Sequence, residues 1–122
     1  MLPYKRSKRV GDQLRREVAD IIMRRLKDPR IGFLTVTAVK VTDDLREARV
    51  YVTVLKKEET QDVLDALNSA RGFIRGEVKK RLRMKIIPEF SFYEDDSVAY
   101  GEKIDHLLKS IKSEKGGEDE ST

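Results

Sequence analysis

The chain has no cysteine and no tryptophan, and only one histidine, His106. The missing thiols exclude disulfides, a thiolate nucleophile and any Cys-based zinc site. No apolar run approaches the ~20 residues that span a bilayer. The start, Met1-Leu2-Pro3-Tyr4-Lys5-Arg6, lacks the apolar stretch of a signal peptide, so the expected compartment is the cytoplasm. Catalytic constellations are also missing. His106 stands between Asp105 and Leu107 on the expected last helix and reads as a surface or boundary residue, and no serine or threonine has an evident base. The pairs Asp43-Asp44 and Asp95-Asp96 could hold a hard cation, but turn and cap chemistry accounts for them more simply. No Walker sequence supports a nucleotide site. The expectation is a non-enzyme that needs no cofactor, metal or small-molecule substrate.

Charge is abundant instead. Of 122 residues, 39% are charged, and another 39% are hydrophobic, enough for one modest core. The length fits one domain. Net charge is only +4, but it is unevenly spread. Residues 1–30 carry a net of +6, and residues 71–85 carry another +6, with Glu77 their only acid. Such asymmetry suggests a surface that faces a polyanion, although most charge runs are merely solvated.

Apolar spacing gives the elements. Val10, Leu14, Val18, Ile21, Ile22 and Leu26 form one stripe of a helix over about 7–27, ended by Asp28-Pro29-Arg30. Residues 33–42 and 47–55 read as an antiparallel hairpin around an Asp43-Asp44 turn. In its second strand Ala48, Val50, Val52 and Val54 face inward and Arg49, Tyr51 and Thr53 outward. Thr60 is a candidate N-cap for a long helix whose stripe runs Val63, Leu64, Leu67, Ala70, Ile74, Val78, Leu82. Gly72 and Gly76 interrupt it at about 1 kcal/mol each, which predicts a bend near Gly72. Their reason is open between close packing, a simple kink and backbone exposed for a phosphate. A third strand spans 89–94, parallel to the second. Ser97 caps a last helix with Ile104, Leu107, Leu108 and Ile111 inward. The expected class is α+β: helix, strand, strand, kinked helix, strand, helix, with the helices on one face of a three-stranded sheet. The domain covers 1–113, and 114–122 is a polar tail. Of the rings Phe33, Tyr51, Phe73, Phe90, Phe92 and Tyr93, most are expected in the core.

Two basic groups are candidate RNA contacts. Arg71, Arg75, Lys79 and Arg83 stand four apart with one sign, a spacing that weakens an isolated helix and that phosphates would relieve. Lys80 and Lys85 flank them. Lys5, Arg6, Lys8 and Arg9 form the second group, with only Asp12 close by. By contrast Asp12, Arg16, Asp20 and Arg24 alternate in sign and read as a structural ladder. A protein–protein adaptor with an acidic partner is the other reading of the same charge.

Several segments together resemble the ribosome-binding factor A family: Arg9-Val10 with Gln13 and Glu17, Asp28-Pro29-Arg30, Thr35-Val36-Thr37, Asp44-Leu45 before Ala48-Arg49-Val50-Tyr51-Val52, Ala70 through Arg75, Pro88 through Phe92, and Asp96-Ser97 through Gly101. The likeness is collinear over about 5–112. It implies a type II KH fold in which an Ala-x-Gly kink, here Ala70, Arg71 and Gly72, replaces the usual Gly-x-x-Gly loop. It further implies binding to the small ribosomal subunit and its rRNA; the chain itself is expected to be a monomer. Such a factor aids late maturation near the rRNA 5′ end, leaves before translation, and supports growth in the cold.

Overall fold

The computed structural model describes residues 6–97. Lys5, His106, the expected last helix beyond Ser97 and the expected tail therefore lie outside the described residues. The elements are α1 (Arg6–Arg24), β1 (Leu34–Val41), β2 (Glu47–Val54), a short 3-10 turn (Lys57–Glu59), α2 (Thr60–Ser69), α3 (Arg71–Arg81) and β3 (Glu89–Glu94).

α1 buries the stripe that spacing predicts: Leu14, Val18, Ile21 and Ile22. It stops three residues early, because the amides of Arg25 and Leu26 both close onto the Ile21 carbonyl, at 2.8 and 3.2 Å. Leu26 still packs against the core from beyond the helix end.

β2 is the central strand, antiparallel to β1 and parallel to β3, as the strand–helix–strand order requires. Its alternation holds: Ala48, Val50, Val52 and Val54 are buried, and Val50 and Ala48 stand beside Phe92 and Phe90 of β3. β1 alternates less simply. Val36 pairs with Val52 but Ala38 pairs with Tyr51, so Thr37 is an extra residue, a bulge. The bulge turns both Val36 and Val39 inward, three positions apart. The Thr37 hydroxyl lies 2.5 Å from the Asp95 carboxylate and 3.2 Å from the Tyr51 carbonyl.

At the bulge α1 meets the sheet without a side chain between them. A Cβ added to Gly11 would lie 2.6 Å from the Val39 carbonyl oxygen. Gly11 thus sets how closely helix and sheet approach.

The hairpin turn uses one of the two expected aspartates. Asp44 accepts from the Thr42 hydroxyl (2.7 Å) and the Arg46 amide (3.0 Å), while Asp43 accepts from Ser7 instead. Leu45 follows at φ 63° with its side chain buried, so apolar burial holds a conformation that a branched residue ordinarily avoids.

The Thr60 cap needs correction. The 3-10 turn runs straight into α2, so Thr60 already has helical dihedrals (φ −54°, ψ −47°), and Glu59 holds the cap position without a side-chain bond. An N-cap needs an extended backbone, which Thr60 lacks.

Four carboxylates are held below the ordinary range by hydrogen bonds: Asp20 by Arg81, Asp28 by Arg30, Asp44 by Thr42 and Asp95 by Thr37. Their native pKa values lie below the unfolded ones, so their stabilisation is full above the unfolded carboxylate range. It is lost as pH falls through the lowered native values. Urea midpoints should hold from pH 7 to about 5 and drop below about 4. A midpoint that rises on acidification would contradict these bonds.

Candidate RNA interface

The break in the long helix falls at Ala70, two residues before the glycine expected to cause it. Ala70 has φ −92° and ψ 5°, ends α2 through bonds to the Ala66 and Leu67 carbonyls, and starts α3 by accepting from Ile74. No side chain caps α3, which leaves its first-turn amides without a side-chain acceptor. Nothing lies within 4 Å of where a Cβ would stand at Gly72 or Gly76. Close packing therefore explains neither glycine, and the backbone of the first turn stays open to an approaching anion.

The one-sign ladder is only partly realised. α3 ends at Arg81, and Leu82 is extended (φ −117°, ψ 136°), so Arg83 and Lys85 leave the helix. Arg75 has a structural duty. Its guanidinium donates to the Ile87 carbonyl at 2.9 Å and to the Pro88 carbonyl at 3.2 Å, fastening α3 to the entry of β3, and lies 3.6 Å from Glu89. Arg75→Gln should lower stability by about 1–2 kcal/mol, since charge-assisted bonds are lost at a half-exposed site. A chemical-denaturation midpoint equal to wild type would show those bonds to be idle.

Two further cations of this stretch are paired. Lys80 meets the buried Glu77 at 3.2 Å, and Glu77 also holds Arg25, just past the end of α1, at 3.3 Å. Arg81 reaches Asp20 at 2.7 Å and Glu17 at 3.3 Å. Asp20 also pairs with Arg24 at 2.6 Å, so part of the alternating ladder on α1 is structural, as its spacing predicts. Arg71, Lys79, Arg83 and Lys85 remain exposed and make no ion pair among the described residues.

The pairs between α1 and α3 also fix orientation. Arg25 meets Glu77 while Glu17 and Asp20 meet Arg81, so the two helices run antiparallel. The α1 N-terminus, with Arg6, Lys8 and Arg9 exposed, then points toward the end of the layer where Arg83 and Lys85 emerge. Two groups far apart in sequence share one end of the helical layer.

The rings need a correction too. Only Phe90 and Phe92 enter the core. Phe33, Phe73 and Tyr93 are 74%, 44% and 44% exposed, and Tyr51 is half-buried. Among the described residues no cluster of three or more His, Asp or Glu could hold a metal, and no helix is long and apolar enough to cross a membrane.

A kinked helix pair over a three-stranded mixed sheet, with cations unpaired among the described residues and an uncapped helix start on the helical side, is the arrangement of a KH-like domain. The sequence model of ribosome-binding factor A matches residues 6–108. A ribosome-binding factor A of Thermodesulfovibrio yellowstonii is 54% identical over 112 residues, covering 92% of this chain and 95% of that one. The crystal structure of the Thermus thermophilus factor superposes with a TM-score of 0.65 at 32% identity, covering 72% of this chain and 94% of that one. A Thermus thermophilus homology model fitted into a cryo-EM map of a 30S complex gives 0.60 at 34% identity, over 70% and 91%. The chain belongs to the ribosome-binding factor A family.

Proposed function

We propose that this chain is an assembly factor that binds the rRNA of the immature small ribosomal subunit and promotes its late maturation, including processing near the 5′ end. The observation that carries the reading is the set Arg71, Lys79, Arg83 and Lys85, cations without an ion-pair partner among the described residues, which run from Arg71 at the uncapped start of α3 to Arg83 and Lys85 past its other end. The Thermus thermophilus relative fitted into a 30S map supports the choice of partner. Phosphate contacts orient a protein on RNA without reading sequence, so recognition rests on the shape of the folded RNA. The factor acts by binding one rRNA arrangement more tightly than another, since only differential affinity shifts such an equilibrium. No covalent step is assigned to it. It works in the cytoplasm as a monomer.

Sedimentation with purified subunits tests this reading. The chain should travel with the small subunit, and more with immature than mature particles. Travel with the large subunit alone would overturn it, as would preference for an acidic protein of matched charge.

A further inference from the structure

The helices cover one face of the sheet, and no described element packs over the other. Strand parity puts Arg49, Tyr51 and Thr53 of β2 on that second face. The register then sets Lys40 beside Arg49 and Tyr51 beside Tyr93. The two tyrosine rings are 5.9 Å apart between centroids and tilted by 33°. Each carries a cation over it: the Lys40 ammonium is 5.8 Å from the Tyr51 centroid, and the Arg49 guanidinium carbon is 6.0 Å from that of Tyr93.

Two cations directly opposed across strands repel, and sheets ordinarily avoid the arrangement. Neither Lys40 nor Arg49 makes an ion pair among the described residues. The carboxylate near Lys40 is Asp95, and its hydrogen bonds go to Thr37 and the Ser97 amide. The same parity puts the directly paired Glu47 and Glu89 on this face, two positions before Arg49 and Ser91, so the acids hold one end of it while Lys40 and Arg49 stand over the rings. Cations over exposed aromatic surface are the combination that holds an unpaired strand: bases stack on rings while cations follow the phosphates. An acidic peptide would satisfy the cations but would leave the rings without a flat partner.

We propose that this open face is a second RNA surface, a stacking platform for unpaired bases, with Tyr51 and Tyr93 as the platform and Lys40 and Arg49 on the backbone. It lies opposite the helical layer, so the two surfaces can fail separately. The factor would hold a duplex region by its helices and a loose strand by its sheet.

The test is binding of the full chain to a labelled unpaired decamer, oligo-uridylate, against a hairpin of similar length. Wild type should bind the decamer. Tyr93→Ala should weaken it by about tenfold, the effect of losing one stacked base. Tyr93→Phe keeps the ring and should bind like wild type. Arg49→Gln should reduce the log–log salt slope by about 0.7 unit. Hairpin binding and melting temperature should hold in all three. No decamer binding by wild type, equal binding by Tyr93→Ala, or displacement of the decamer by poly-glutamate in preference to poly-uridylate would overturn the platform. Loss of hairpin binding in a helical-layer variant with decamer binding intact would support it.

Discussion

Replacing Arg71, Lys79, Arg83 and Lys85 together with glutamine should flatten the salt dependence of RNA binding by roughly three to four log–log units, taking about 0.9 per phosphate contact. Between 50 and 200 mM salt, the wild-type affinity should then fall about a hundredfold further than that of the variant. The fold should be unharmed, because none of the four makes an ion pair among the described residues. The loss should extend to unrelated structured RNAs, since these side chains carry no base code. Arg81→Gln is the matching control. It breaks the contacts to Asp20 and Glu17, so it should lower stability and leave the salt slope near wild type. A quadruple variant with an unchanged slope would remove the helical layer as the phosphate-binding surface.

The second large effect is on folding. Gly11→Ala should destabilise the protein, although alanine is ordinarily the better helix former by about 1 kcal/mol. The new methyl would stand 2.6 Å from the Val39 carbonyl oxygen, and that neighbour is backbone in a bulged strand. Either α1 lifts from β1 or the bulge reorganises, at the ~1–3 kcal/mol typical of overpacking. The same change at Gly76, where nothing lies within 4 Å, should stabilise by up to about 1 kcal/mol. Melting curves on the two variants should therefore move in opposite directions. A stabilised Gly11→Ala would mean that the close approach is not maintained in solution.

Those two glycines show where the sequence is informative and where it is silent. Periodicity places α1, β2 and β3 because each buries one face against the same core, and burial writes a period into the residues. Leu14, Val18 and Ile21, or Val50 and Val52, can be read directly. The bulge at Thr37 has no such signature: Val36 and Val39 face inward only because an extra residue is left unpaired, and alternation alone assigns them opposite faces. Gly11 is equally silent, since its importance depends on the carbonyl of Val39, far along the chain. In the interface, charge counting finds the cations but not their partners. Arg75 and Lys79 look alike in a one-sign ladder, yet only Arg75 comes within reach of the carbonyls of Ile87 and Pro88. Arg83 looks like the fourth rung, yet the chain becomes extended at Leu82. The tyrosines on the open face are legible in part. The alternation of β2 puts Tyr51 outward, but its neighbour Tyr93 follows only from the parallel register.

The absence of cysteine makes the most direct test simple. A single thiol at Gly76, on the exposed side of α3, can carry a tethered iron chelate that generates hydroxyl radicals, and a second variant with the thiol at Glu58 serves as the remote control. Each is bound to immature small subunits and the rRNA is mapped for strand breaks. Docking through the helical layer predicts strong, localised cleavage from position 76 and weak or displaced cleavage from position 58. Strong cleavage from position 58 with none from position 76 would contradict it.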